Sequence, residues 1–171
     1  MESESQFLAH TKDGIPVYLD EQSSHAKTHL RSHPKLLGAV IECIPKIVVN
    51  ADLAREEFEL SYGIGTSDLV ATTADDEVVY ALRAHRTEYS RFVKSRKPAP
   101  TRYIVVDIRK KSEKRDESFY LYTCFIGRLT PSFPGGDFLP EQSVEFWSKH
   151  ALVWGTQEII SDTITKQCPW S

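Results

Sequence analysis

Three of the six histidines in this 171-residue sequence, His25, His29 and His33, recur every four residues. Side chains four apart on a continuous helix lie one above another, so the three would form a polar stripe. A stripe of this kind admits a shared metal ion, an imidazole base working near neutral pH, or plain solvated helix surface. Neither Glu nor Asp stands inside the repeat to complete a metal site, and Pro34 interrupts its third turn. The expectation is no metal and no cofactor, with acid–base chemistry and bare helix surface both left open.

Cutting RNA without a metal needs three things: a base for the 2′-hydroxyl proton, an acid for the leaving oxygen, and a cation for the charge on phosphorus. His29 or His25 suits the first task. Arg102 and Arg96 suit the third, because a guanidinium fork matches phosphate oxygens in pairs. Tyr122 and Thr123, inside an otherwise apolar stretch, offer hydroxyls for positioning, although both residue types are common in strands for structural reasons. GIGTSD at 63–68 lacks the spacing of a phosphate-binding loop and reads as a turn, with Thr66 and Ser67 as further hydroxyl donors. Cys124 alternates onto one face of an apolar strand and reads as a buried small residue. The patterns Gly-x-Ser-x-Gly and His-Glu-x-x-His do not occur.

The net charge of −3 argues against a polyanionic partner, but its distribution argues for one. Residues 1–82 hold 6 basic and 14 acidic side chains, residues 83–115 hold 12 and 3, and residues 116–171 hold 3 and 7. The middle stretch is thus +9. Counterion release draws nucleic acid to such a segment, and Arg91, Lys94, Arg96 and Lys97 are its candidate contacts. Tyr89, Phe92 and Tyr103 lie between the charges as stacking surfaces. KKSEKRDE at 110–117 reads as a solvated hairpin loop.

These residues need a frame. GIPVYLDE at 14–21 has strand character. Ser23 and Ser24 suit a helix N-cap ahead of HAKTHLRSH, and KLLGAVIECI after Pro34 has helical apolar spacing, which predicts two helices or one kinked at the proline. Residues 46–60 are expected to begin as a strand and continue as a helix. DLVATT and VVYALRA flank ADDE as a hairpin, and SRFVKSRKPAP reads as an extended connector. TRYIVVDIRK and FYLYTCFIGR predict an antiparallel pair, the second with Phe119, Leu121, Thr123 and Phe125 on one face. TPSFPGGDFLP reads as loop, PEQSVEFWSKHALVW as a helix with Val144, Trp147, Ala151 and Trp154 on one face, and QEIIS as an edge strand. The expected fold is α+β: N-terminal helices packed on a small antiparallel sheet, with a C-terminal helix. One domain spanning 1–171, with its core at about 14–155, is the natural unit for this length.

THLRSH with His29, the strand TRYIVVDI, and YLYTCFIG with Tyr122 and Thr123 together resemble the compact metal-independent RNase superfamily that groups barnase, EndoU, colicin E5 and D, and RelE-type toxins. The resemblance covers about residues 20–130. It implies a helix followed by a four-stranded sheet, with a histidine from the helical part and basic and hydroxyl residues from the sheet. PTRYIVVDIRK and SVEFWSKHALVW are also similar to segments of uncharacterised bacterial proteins. The expected function is a toxin-like endoribonuclease that cleaves RNA by 2′-hydroxyl transesterification and is opposed by an antitoxin or another protein partner. The alternative is a non-catalytic module that binds nucleic acid or protein through residues 83–115. The acidic N-terminus has no signal-peptide character and no apolar run is long enough to cross a membrane, so a cytoplasmic protein is expected.

Overall fold

The structure is a computed structural model and describes residues 5–111, 118–135 and 139–170. Most of the loop read at 110–117 lies outside the described residues. The predicted α+β arrangement does not form. Among the described residues, eleven strands in three sheets dominate and only three α-helices occur. The chain opens with strands, β1 (Gln6–His10) and β2 (Pro16–Leu19), rather than with helices packed on a small sheet.

Two compact units divide the chain. Unit 1 comprises Met1–Gly65 and Thr101–Leu129, and unit 2 comprises Thr66–Pro100 and Thr130–Ser171.

Unit 1 is built on β1, β2, α1 (Ser24–Ser32), α2 (Lys35–Cys43), β3 (Leu53–Glu59), β9 (Tyr103–Lys110) and β10 (Phe119–Ile126). Its five strands run in the order β1-β2-β10-β9-β3, antiparallel except for the short β2–β10 pairing at Phe119↔Val17 and Tyr120↔Tyr18. Pro34 does separate two helices, since its ring forbids the hydrogen bond that would join them. Ser23 does not cap α1: its hydroxyl accepts the backbone N–H of Asp20. α2 buries Leu36, Ala39, Val40 and Cys43 against Ile104, Val106, Ile108, Leu121 and Cys124 of the sheet. The helix expected in the later part of residues 46–60 is instead strand β3, where Ala54 and Phe58, two turns of the pleat apart, share the side that packs on this core.

β10 departs from simple alternation. Leu121 pairs with Ile108 and Thr123 with Asp107, so Tyr122 is the extra residue of a β-bulge. Beyond the bulge the faces exchange. Phe119, Leu121 and Cys124 enter the core, while Thr123 and Phe125 turn outward, opposite to the periodic expectation for Thr123.

Unit 2 holds β5 (Leu69–Ala71), β6 (Val78–Leu82), β7 (Tyr89–Val93), α3 (Glu141–Lys149) and β11 (His150–Val153), with strand order β5-β11-β7-β6. A third, two-stranded sheet pairs β4 (Gly65–Ser67), read as a turn, with β8 (Ala99–Thr101). The expected β5–β6 hairpin is absent because β11 takes the place beside β5, antiparallel to it and parallel to β7. The expected connector at 90–100 begins as β7, which buries Ser90, Phe92 and Val93. The predicted C-terminal helix stops at Lys149, and its last residues form β11. QEIIS contributes one bridge, Ile159 to Arg83. Trp147 stacks on Phe133 at 3.7 Å and donates its indole N–H to the Pro131 carbonyl.

The fully buried Leu121 and half-exposed Leu53 occupy neighbouring rows of one sheet, so they separate burial from strand propensity. In urea denaturation Leu121→Ala should lose about 2–5 kcal/mol through lost transfer energy and an unfilled cavity. Leu53→Ala should stay within about 0.5 kcal/mol. Equal losses would show that Leu121 is not in the core.

Candidate nucleic-acid interface

Residues directly opposite one another on paired strands point to the same side of a sheet. Following the register across unit 1 gives an outward row of Phe7, Tyr18, Tyr120, Arg109 and Leu53, one residue from each of the five strands. Phe7 and Leu53 at its ends are 47% and 50% exposed, and the three between are half-buried. Ring contacts confirm the shared side: Phe7 meets Tyr18 edge-on at 5.7 Å, and Tyr120 meets Tyr122 at 6.4 Å. His10 packs on Phe7 at 4.9 Å.

The next row is Thr123, Asp107 and Arg55. Asp107 is completely buried, and an ionised carboxyl in that position must be paired. Arg55 reaches it at 3.0 Å from β3, and Arg109 reaches it at 3.3 and 3.4 Å along its own strand. These bonds raise the pKa of the Arg109 guanidinium further and fix its plane, which lies 3.6 Å from the centre of the Tyr122 ring. The bulge that pushes Tyr122 out of register is what lets its ring lie beneath that guanidinium. Arg55 also lies over Phe125, at 5.7 Å. Beside the aromatic row, Lys111 sits over Tyr18 at 4.8 Å and pairs with Asp20 at 3.0 Å.

α1 brings two of its histidines to this face. His25 lies 5.7 Å from the Tyr122 ring and His29 lies 6.4 Å from the Phe125 ring. Burial, helped by the neighbouring charges of His33 and His25, lowers the pKa of His29 and favours the neutral imidazole. His33 is exposed at the helix C-cap, outside the helical geometry, so the stripe ends with two members. Among the described residues no three His, Cys, Asp or Glu side chains are placed to hold a metal ion.

Of the residues singled out in the sequence, His25 and Tyr122 therefore come together, while His29 stands against Phe125 and Thr123 lies in the Asp107 row. Arg102 does not join them. It is exposed, lies 3.8 Å from Glu59, and stands five residues before Asp107, roughly 17 Å along the strand direction. Arg91, Lys94, Arg96 and Lys97 belong to unit 2. Arg91 is bonded to Tyr80, Thr72 and the His150 carbonyl, Lys94 lies 3.8 Å from Glu77, Arg96 donates from Nη1 to both carboxylate oxygens of Asp76, and Lys97 is exposed. Thr66 forms part of β4, and Ser67 accepts the Leu69 backbone N–H. Cys124 is buried, and its thiol pKa is pushed up to about 12, so it is no nucleophile at neutral pH.

Arg109, Asp107, Arg55, Tyr18 and Tyr120 were not singled out as site residues. The available signal was Asp107, a lone acid in the middle of the apolar run YIVVDI, which demands a cationic partner once that run is a central strand. No family model, curated protein or solved structure matches the chain.

Lowering of the His29 pKa fixes the sign of one pH effect. The unfolded chain binds the proton more readily, so this contribution to stability is complete above the ordinary histidine value near 6.5 and is lost as pH falls through the lower folded value. NMR titration should place the His29 midpoint below 6.5, and His29→Gln should flatten the acid limb of the stability curve. A midpoint at or above 6.5 would remove this contribution.

Proposed function

We propose that the outer sheet face of unit 1 binds single-stranded RNA. The observation that carries this reading is the row Phe7–Tyr18–Tyr120–Arg109, with Tyr122 beside it. Bases stack on aromatic rings whatever their sequence, and the Arg109 guanidinium next to the rings meets the backbone phosphate. Two arginines share the single carboxylate of Asp107, which leaves a surplus positive charge for that phosphate. Such a protein works where RNA is, in the cytoplasm.

A second reading, cleavage, draws on the two histidines at the rim of the face. Neutral His29 takes the 2′-hydroxyl proton, the freed oxygen attacks phosphorus, and the P–O5′ bond breaks to leave a 2′,3′-cyclic phosphate. His25 stands as the group that gives a proton to the departing oxygen. Arg109 faces the charge that develops on phosphorus, and the Tyr122 and Thr123 hydroxyls position the chain. Arg102 and Arg96 have no part in this version. A protein partner covering the aromatic row would restrain cleavage, as an antitoxin does.

Fluorescence anisotropy with a labelled oligouridine tests binding. Tyr120→Ala should weaken it about fivefold or more, since a base–aromatic stack contributes about 1–3 kcal/mol. Lys97→Ala should leave it unchanged. With about two phosphates neutralised, the slope of log K against log salt should be near −1.4. A steep slope that Lys97→Ala reduces would move the interface to unit 2.

Cleavage is read separately. His29→Ala should abolish it while binding persists, and a single 2′-deoxy substitution at the scissile position should protect the RNA. Persistent cutting of the deoxy substrate would refute the transesterification step.

A further inference from the structure

Unit 2 contains a cavity of about 530 Å³, lined by Thr87, Glu88, Tyr89, Pro134, Leu139 and Trp170 among others. That volume lies within the range of small-molecule sites. Its walls are mostly ring and aliphatic surface. Trp170 is held perpendicular to Tyr80 at 5.3 Å and stands 6.2 Å from Phe133, so its indole is oriented by packing.

Among the described residues of this lining Glu88 is the acid. It is half-buried, its Oε2 accepts the Thr87 hydroxyl at 3.1 Å, and among the described residues no cation lies within 4 Å of it. Arg83 senses the charge of Glu88, yet its Nε donates to the Ser90 hydroxyl and its guanidinium lies over Phe133 at 5.6 Å. The backbone is shaped to bring the walls together. A Cβ at Gly135 would lie 2.8 Å from the Glu88 Cβ, so glycine is required for this approach. A half-buried carboxylate with no ion pair among the described residues, set among aromatic and prolyl surfaces, matches a cation that is bulky and weakly hydrated. A compact ammonium would lose too much hydration against Pro134 and Leu139. A methylated one loses little and gains the electrostatic attraction of aromatic faces.

We propose that this cavity binds an N-methylated organic ammonium, with Tyr89 and Trp170 as its aromatic contacts and Glu88 as its counter-ion. The site is independent of the RNA face of unit 1. The same chemistry is carried by free choline-type molecules and by trimethyl-lysine side chains.

The test is an NMR titration of the full chain with tetramethylammonium, read at the Trp170 indole N–H, which Trp170→Phe assigns. A saturable shift is expected, with no comparable shift from tert-butanol, a neutral compound of similar shape. Glu88→Gln should weaken the tetramethylammonium affinity at least fivefold with an otherwise unchanged spectrum. Equal responses to the two probes, no saturable response, or an unaltered affinity in Glu88→Gln would overturn the proposal. Choline and a trimethyl-lysine peptide then identify the source by which binds more tightly, and failure of both would equally overturn it.

Discussion

The outer face of unit 1 depends on one buried charge. Asp107 lies on the central part of β9 with no access to solvent, and an unpaired carboxylate there would cost several kcal/mol. Arg55 and Arg109 approach it from two strands and supply three hydrogen bonds. The consequences spread outward from that pairing. Arg109 is held flat, and a flat guanidinium can cover the Tyr122 ring at 3.6 Å. Tyr122, so covered, is the surface against which His25 of α1 rests. Without Asp107, the two arginines would repel each other and swing to solvent, and the aromatic row would lose its ordered cation.

Part of the charge segregated along the chain is paired in the same way. Lys94 and Arg96 meet Glu77 and Asp76 within unit 2, while Arg102 and Lys111 meet Glu59 and Asp20 within unit 1. In each pair the acid comes from the acidic first 82 residues and the base from the basic stretch that follows. A long sequence separation between opposite charges is therefore a record of which strands become neighbours, not by itself the footprint of a polyanion. Among the described residues four cations of the +9 stretch pair with acids of the −8 stretch, and at Asp107 two guanidiniums share one carboxylate, which leaves positive charge in surplus.

The legible parts of the fold were those whose signal is local. α1 and α2 around Pro34, and the β9–β10 pair, follow from periodicity and from a proline within a few residues. What escaped depended on distant neighbours. β11 and β7 pair in parallel although Leu152 and Phe92 are far apart in sequence, and nothing local in HALVW distinguishes the end of a helix from a strand that completes a sheet. β3 carries Arg55, Glu56, Glu57 and Glu59, a composition with ordinary helix propensity, and is held extended by its pairing with β9. The bulge at Tyr122 inverts the faces of Thr123 and Phe125, a one-residue shift that period-two reasoning cannot anticipate. The site inherited this pattern: histidines and hydroxyls were visible by type, but Arg109 and Tyr120 acquire meaning only through register.

Register also limits what the face can recognise. Five strands spaced at ~4.8 Å make the row from Phe7 to Leu53 roughly 19 Å long, and most of it is ring or aliphatic surface. A duplex hides its base faces and presents phosphates, so it would engage only Arg109, Arg55 and Lys111, each of which already shares a carboxylate. A single strand presents the bases themselves, and the rings need no counter-charge to hold them. The pairing of these three cations thus favours unpaired RNA over duplex by weakening the electrostatic grip that the two would share, which leaves stacking to discriminate between them.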